Sequence, residues 1–296
     1  MVEMAPATPG RAGTPRSGST RGEEIRTARA RRYLMCRPEH FTVAYEINPW
    51  MDSSRAVDTD LALAQWEHLR RTYLDLGHVV DLVDPLPGLP DMVFAANGAL
   101  VIDGHALGVR FRHAERAAEA GAYAAWLRAQ GIEVTDAVAL NEGEGDFLLA
   151  GDWLLAGSGF RSDPASHAEA QELFGVPVVS LVLVDPRFYH LDTALAVLDD
   201  RTVAWWPPAF SPGSRRVVER LFPDAIEATE EDALAFGLNA VSDGRHVVVA
   251  AAARHLVAEL SSRGYVPVPV DLSELLRGGG GAKCCTLELR DAVAAA

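Results

Sequence analysis

ANGALVIDGHALGVRF, residues 96–111, reads as a small-residue lead-in, a short apolar strand, an Asp-Gly turn and a second strand. Asp-Gly between apolar runs is a tight-hairpin composition, because both turn positions tolerate positive φ. The design returns in GDFLLAGDWLLAGSGF (145–160), LDTALAVLDDRTVAWW (191–206) and LNAVSDGRHVVVAA (238–251). Two-residue turns are expected there at Gly151-Asp152, Asp199-Asp200 and Asp243-Gly244. After each hairpin comes a segment with apolar residues at three- and four-residue spacing, at 113–131, 164–175, 213–222 and 252–264. That spacing predicts amphipathic helices, and each is followed by a short apolar strand.

The polar or small residues leading the hairpins keep a common period. Asn97, Asp146, Asp192, Asn239 and Cys284 follow one another at steps of 49, 46, 47 and 45 residues. A fixed period of this size marks a propeller or solenoid of supersecondary units. The N-terminal part supplies the remaining pieces, a helix over 57–77 and a strand over 78–85. RRYLMC (31–36) would then pair with CCTLEL (284–289) and close a ring. The expected fold is α/β, a five-bladed pseudo-symmetric α/β propeller of strand-strand-helix-strand units. An open α/β sheet uses the same alternation and is the competing architecture.

Residues 1–30, rich in Pro, Gly, Ser, Thr and Arg, are expected to be a disordered tail, with residues 31–296 forming one catalytic domain. The chain has 296 residues, 49% apolar, with a net charge of −14, which argues against nucleic acid or anionic lipid as the main partner. No apolar run is long enough for a membrane span. Three cysteines without disulfide spacing, and no secretory h-region, fit a reducing cytoplasm.

A closed ring would bring the five leading residues to its centre. Cys284 follows four glycines in GGGGAKCCTLEL (278–289) and is the candidate nucleophile, since a thiolate needs a cationic neighbour or substrate to form at neutral pH. Cys285 reads as a buried apolar residue, its side chain pointing away if the segment is a strand. His190, in FYHLDT, is the candidate general acid and base, and two-residue spacing would put it on one strand face with Asp192. The acidic stretch ALNEGEGDFLL (139–149) carries Glu142, Glu144 and Asp146. Buried carboxylates demand positive charge, and a planar guanidinium matches that demand. No C-x-x-C or H-x-x-x-H spacing is present, so no metal is expected.

Taken together, MCRPEHFTVAYEINPWM (35–51), PDMVFAAN (90–97), NEGEGD (141–146), YHLDT (189–193) and GGGGAKCCTLEL resemble the guanidino-group-modifying enzymes of the pentein superfamily. These include arginine deiminases, dimethylarginine dimethylaminohydrolases, amidinotransferases and arginine dihydrolases. The resemblance covers residues 31–296 and implies the five-bladed pentein propeller. It implies Cys284 as nucleophile, His190 as acid–base and Glu142 as its carboxylate partner. An inserted residue relative to the shorter E-G-G-D form leaves Glu144 as the alternative. Asp192 would bind the guanidinium, Arg116 and Arg161 the substrate carboxylate, and Asp91 would make a further substrate contact. Asn97 stands where deiminases and dimethylarginine enzymes carry aspartate and arginine dihydrolases carry asparagine.

The resemblance therefore implies a cysteine-dependent hydrolase acting through an S-amidino intermediate, without cofactor, on a small guanidino substrate. Arginine dihydrolysis to ornithine, carbon dioxide and two ammonia is the first expectation. Dimethylarginine hydrolysis and amidino transfer are its alternatives, and a non-catalytic binding protein of the same fold is the alternative outside enzymes. A homo-oligomer is left open.

Overall fold

The computed structural model of the chain describes residues 26–290. Five three-stranded sheets follow one another along the chain, and each repeats one plan. An inner strand pairs antiparallel with a middle strand, a helix crosses back, and an outer strand pairs parallel with the middle one. A helical crossover is what parallel neighbours require, and it covers the sheet's outer face.

The second unit holds β3 (Leu100–Ile102), β4 (His105–Leu107), α2 (Glu119–Ala129) and β5 (Glu133–Thr135). The third holds β6 (Phe147–Ala150), β7 (Trp153–Ser158), α3 (Ala165–Phe174) and β8 (Val178–Val182). In the fourth, a short helix α4 (Leu191–Ala194) precedes β9 (Leu195–Val197), β10 (Val203–Trp205), α5 (Pro212–Leu221) and β11 (Ile226–Glu227). In the fifth, α6 (Glu230–Leu234) precedes β12 (Val241–Ser242), β13 (His246–Ala250), α7 (Arg254–Ser262) and β14 (Val266–Val270).

The first unit closes the ring. β1 (Arg32–Cys36), α1 (Thr59–Asp75) and β2 (Val79–Val83) take their inner strand from the other end of the chain, β15 (Leu287–Glu288). Leu34 stands opposite Leu287 and Tyr33 opposite Glu288. The helices form where local signals and burial agree. Asp58 caps α1 by accepting a hydrogen bond from Leu61 N at 3.0 Å, and Ala62, Trp66, Leu69 and Tyr73 turn one stripe inward. Fully burying a side chain of this kind is worth roughly 1.5–3 kcal/mol. Pro267 and Pro269 are tolerated in β14 because it lies at the edge of its sheet and pairs only with β13.

The α/β propeller is therefore the fold, and the open sheet is excluded by the β1–β15 pairing. Local expectations differ from the structure at several places. Only Asp103-Gly104 and Gly151-Asp152 are two-residue turns; the hairpins at Asp199-Asp200 and Asp243-Gly244 have longer loops, because Asp199 and Asp243 each accept backbone N–H bonds across the turn. The helix expected from residue 113 starts at Glu119, after a 3₁₀ turn at Ala114–Arg116. His190 and Asp192 do not share a strand face: Thr193 donates to His190 O through both N and Oγ1 and winds 191–194 into α4. Cys284 and Cys285 lie in a turn before β15 rather than on it, held by Cys285 N to Gly281 O and Thr286 N to Lys283 O. Residues 26–30, within the stretch expected as a tail, lie along the body, with Arg26 stacked 3.6 Å from the Tyr265 ring centre and Arg29 N bonded to Asp243 O. Residues 1–25 and 291–296 lie outside the described residues. No helix among the described residues is long and apolar enough to cross a membrane.

Candidate active site at the ring centre

Each leading residue sits one to three positions before an inner strand, so the five gather at one end of the ring. Hydrogen bonds join them from unit to unit. Asn97 Nδ2 donates to Glu142 O at 3.2 Å, and Leu191 N donates to Asp146 Oδ1 at 3.1 Å. Asn239 Nδ2 donates to Asp192 O at 3.1 Å and to Cys284 Sγ at 3.1 Å. Ala96 N donates to Cys284 O at 3.0 Å and closes the circuit. All five residues are buried. Buried polar groups are held in place by satisfying one another, and this circuit does so except at one oxygen of Asp192.

Cys284 is the thiol at the centre. Its Sγ donates to Asp192 Oδ2 at 3.2 Å. Burial, then the Asp192 carboxylate, push this thiol well above its usual range. Cys285 is also buried, and burial raises it too, but it packs in the apolar cluster of Tyr33, Tyr73 and Trp66. Cys36 lies in a different cluster, with Leu34 and Tyr123, and has no partner of catalytic type.

His190 stands beside an ion pair. Its Nε2 lies 2.8 Å from Glu142 Oε2, and Arg161 Nη1 donates to that same oxygen at 2.8 Å. Glu142 Oε1 accepts from Arg112 N at 3.3 Å. Burial works against the Glu142 carboxylate, but Arg161 and the His190 hydrogen bond outweigh it and hold the group well below the usual carboxylate range. An ionised carboxylate only accepts, so Nε2 carries the hydrogen and a neutral ring leaves Nδ1 as a base. Nδ1 is buried with no partner among the described residues. Gly145 makes room for this ring: a Cβ there would meet His190 Nδ1 at 3.1 Å and Asn97 Nδ2 at 2.4 Å. The glycines of NEGEGD are thus needed for close approach, not only for a turn.

Two further carboxylates leave an oxygen unused. Asp192 Oδ1 and Asp91 Oδ1 are buried without partners, while Asp91 Oδ2 accepts from Tyr45 OH at 3.0 Å. Burial raises Asp192 to about 6, with His190 and Lys283 opposing the shift. Burial likewise raises Asp91, against the pull of Arg116. Arg116 spends four of its donor hydrogens inside the protein: two on Glu119, one on Asp91 O and one on Asn97 Oδ1 at 2.7 Å. Arg161 spends two, on Glu142 and on Ile47 O at 2.8 Å, and lies over the Tyr189 ring at 4.7 Å. Of the two arginines expected at a substrate carboxylate, Arg161 has donors to spare and Arg116 chiefly fixes Asn97.

Glu144, the alternative partner for His190, is engaged elsewhere. Lys283 Nζ bonds it at 2.6 Å and Glu288 N at 3.0 Å, and Arg290 makes a close ion pair with it. Glu144→Gln should therefore lower stability by about 3–5 kcal/mol, since removing one member of a buried ion cluster leaves the cations uncompensated. Urea unfolding checks it; an unchanged midpoint would contradict the cluster's role.

A segment without regular structure, residues 37–58, crosses this end of the ring and supplies Tyr45 and Ile47 to the contacts above. Asn48 Nδ2 bonds Gly278 O at 3.1 Å and Trp50 Nε1 bonds Arg187 O at 2.7 Å, tying the segment to both sides. Among the described residues, no group of three or more His, Cys, Asp or Glu side chains is placed to hold a metal ion.

A protein of Mycobacterium tuberculosis named N(G),N(G)-dimethylarginine dimethylaminohydrolase is 56% identical to this chain over 264 residues, 89% of this chain and 87% of the relative. The N-terminal domain of ArgZ, an arginine dihydrolase, solved as a cysteine-to-serine variant bound to substrate, superimposes with a TM-score of 0.85 at 38% identity, over 88% of this chain and 98% of that one. The chain belongs to the pentein guanidino-group-modifying enzymes. The bifunctional arginine dihydrolase/ornithine cyclodeaminase ArgZ of Synechocystis is 39% identical over 269 residues, 88% of this chain but only 38% of that longer protein. A dimethylarginine dimethylaminohydrolase structure at 21% identity and TM-score 0.71 shares the fold. No protein-family model matches the chain.

For a pentein enzyme, the sequence reading placed Cys284, His190, Glu142, Asp192, Asn97, Arg161, Arg116 and Asp91 in one buried neighbourhood, where the structure also has them. It did not single out Tyr45, Glu119 or Ser162, whose Oγ accepts from Glu142 N at 3.1 Å and donates to Asp146 Oδ2 at 2.6 Å; none of the three carries a repeat signal. Asn239 it counted in the repeat without giving it a role, although the spacing was the signal that could have found it.

Proposed function

We propose that this chain hydrolyses the guanidino group of an arginine-type substrate through Cys284, with dimethylarginine as the substrate and citrulline and dimethylamine as the products. The observation that carries the chemistry is a buried thiol bonded to Asp192, whose second oxygen is an orphaned acceptor like His190 Nδ1. A guanidinium supplies the donors that Asp192 lacks, each charge-assisted bond being worth about 1.5–3 kcal/mol. The choice of dimethylarginine rests on the 56% relative, whose identity exceeds the 39% of the dihydrolase and so reverses the preference drawn from Asn97 alone.

The resting thiol is neutral because Asp192 accepts its proton in a hydrogen bond and burial disfavours the thiolate. A guanidinium on Asp192 offsets both effects, so the nucleophile forms when substrate is present. The thiol proton passes to His190 Nδ1, the thiolate attacks the guanidino carbon, and a C–S bond forms. His190 hands a proton to the departing amine as the C–N bond breaks, leaving an S-amidino-cysteine. His190 Nδ1 then removes a proton from water, the oxygen bonds to the same carbon, and the C–S bond breaks to restore the thiol. Glu142 holds the ring through Nε2, and Arg161 receives the substrate carboxylate.

Product separation tests the proposal: purified protein is incubated with asymmetric dimethylarginine and, separately, with L-arginine. Citrulline and dimethylamine from the first would support it; turnover of arginine alone would overturn the choice of substrate.

A second reading, dihydrolysis of arginine, is favoured by Asn97. Its Oδ1 accepts from Arg116 and one Nδ2 hydrogen goes to Glu142 O, which leaves one donor that an aspartate lacks. A donor aimed at citrulline's ureido oxygen would hold it for a second attack. On this reading Asn97→Asp shifts the product from ornithine to citrulline; ornithine as the main product of that variant would refute it.

The pH dependence follows from Asp192. With its carboxyl raised to about 6, the native state binds a proton there that the unfolded chain has released, so ionising Asp192 costs stability as pH rises towards 6. Substrate needs the ionised form. We expect kcat/KM to fall about tenfold per unit below pH 6, with kcat less affected because bound guanidinium keeps the carboxylate charged. A flat kcat/KM down to about pH 5 would contradict this assignment.

A further inference from the structure

The Asn239 carboxamide is anchored from both ends. Its Oδ1 accepts from Gly281 N at 3.0 Å and from Cys284 N at 3.0 Å. Its Nδ2 donates to Asp192 O at 3.1 Å and to Cys284 Sγ at 3.1 Å. The amide cannot flip, because the reverse orientation would set NH₂ against two backbone N–H groups and oxygen against a carbonyl and a sulfur. Gly281 is shaped to it: a Cβ there would meet Asn239 Oδ1 at 2.9 Å. One side chain thus fixes the backbone of the turn, the carbonyl of Asp192 and the sulfur together.

We propose that Asn239 is a positioning residue for the nucleophile, the donor that holds the Cys284 thiolate and sets its line of attack once substrate has drawn Asp192 away. The two side-chain contacts of the sulfur have opposite signs. Asp192 accepts from the thiol and favours its neutral form; Asn239 donates and favours the anion. When a guanidinium engages Asp192, the acceptor is lost and the Asn239 donor remains. The other titratable groups around the sulfur are Cys285 and Tyr189, with His190 and Lys283 acting on Asp192. None of these side chains donates to Sγ among the described residues; the Gly281 backbone N–H, which also favours the anion, is itself held by Asn239 Oδ1 at 3.0 Å, so both donors depend on this one side chain.

This rests on Cys284 being the nucleophile of the proposed reaction, and the first part of the test needs no substrate. Asn239→Asp keeps an acceptor for Gly281 N and Cys284 N and removes the donor to sulfur. The rate of iodoacetamide alkylation at Cys284, read by peptide mass against pH, gives the thiol's titration midpoint. The proposal expects Asn239→Asp and Asn239→Ala to raise that midpoint by about one unit or more, and turnover to fall about 10²-fold or more with a smaller change in KM. A folded variant whose midpoint and turnover stay within about twofold of the parent would overturn it. If neither variant folds, the amide acts on the loop rather than the sulfur and the assignment fails. If the midpoint moves but the parent turns over no arginine derivative, the substrate assignment is at fault and Asn239 keeps its role.

Discussion

Cys284→Ser is expected to cut turnover at least about 10³-fold, while Cys285→Ser keeps most of it. A serine hydroxyl at this site would find Asp192 as its one hydrogen-bond acceptor among the described residues, and substrate binding takes that acceptor away. An alcohol is far harder to ionise than a thiol, so the neighbourhood that yields a thiolate on guanidinium binding yields no alkoxide. Cys285 sits one residue on, buried in the cluster of Tyr33, Tyr73 and Trp66 that also takes in Cys284, but it is the Cys284 sulfur that bonds Asp192. Cys285→Ser should therefore act on stability, through a hydroxyl in an apolar setting, at roughly 1–3 kcal/mol. Steady-state kinetics on both variants, with mass measurement of a covalent adduct in the parent, make the check. The reverse outcome would move the nucleophile to Cys285.

His190→Gln should lower kcat about 10²- to 10⁴-fold with KM changed much less. The ring's Nδ1 is buried without a partner among the described residues, and both half-reactions of the proposed mechanism draw on it. Guanidinium binding rests on Asp192 and carboxylate binding on Arg161, so affinity survives the change. A glutamine can still donate to Glu142 and keep the Arg161 pair compensated, which makes this variant milder for the fold than Glu142→Gln. A rate within about tenfold of the parent would show that another group transfers the proton.

The periodicity of the chain was enough to specify the propeller. Steps of 45 to 49 residues between leading polar positions, with a hairpin and a helical stripe in each step, require one packing plan repeated around an axis. Boundaries were less legible. Asp199 and Asp243 lengthen their turns by bonding backbone N–H groups, and Thr193 turns YHLDT into a helix start; a short polar side chain chooses among such options only when its neighbours are in place. The tail expectation stopped at residue 30 because composition cannot see that Arg26 finds a tyrosine face 239 positions away in the chain.

For the site, residue type and repeat phase determined which groups meet: a thiol, an imidazole, carboxylates and arginines. What each does once there depended on distances that no spacing encodes. Glu142 and Glu144 are two residues apart and chemically identical, yet one faces His190 and Arg161 and the other faces Lys283 and Arg290. Arg116 and Arg161 occupy matching places after their hairpins, yet Glu119 takes up the first and leaves donors on the second. Asn239 was visible only as a member of the period. Its hold on Cys284 comes from a turn that brings positions 239, 281 and 284 within hydrogen-bond range, and hydrogen-bond energy falls steeply over fractions of an ångström, so only the folded chain assigns the partners.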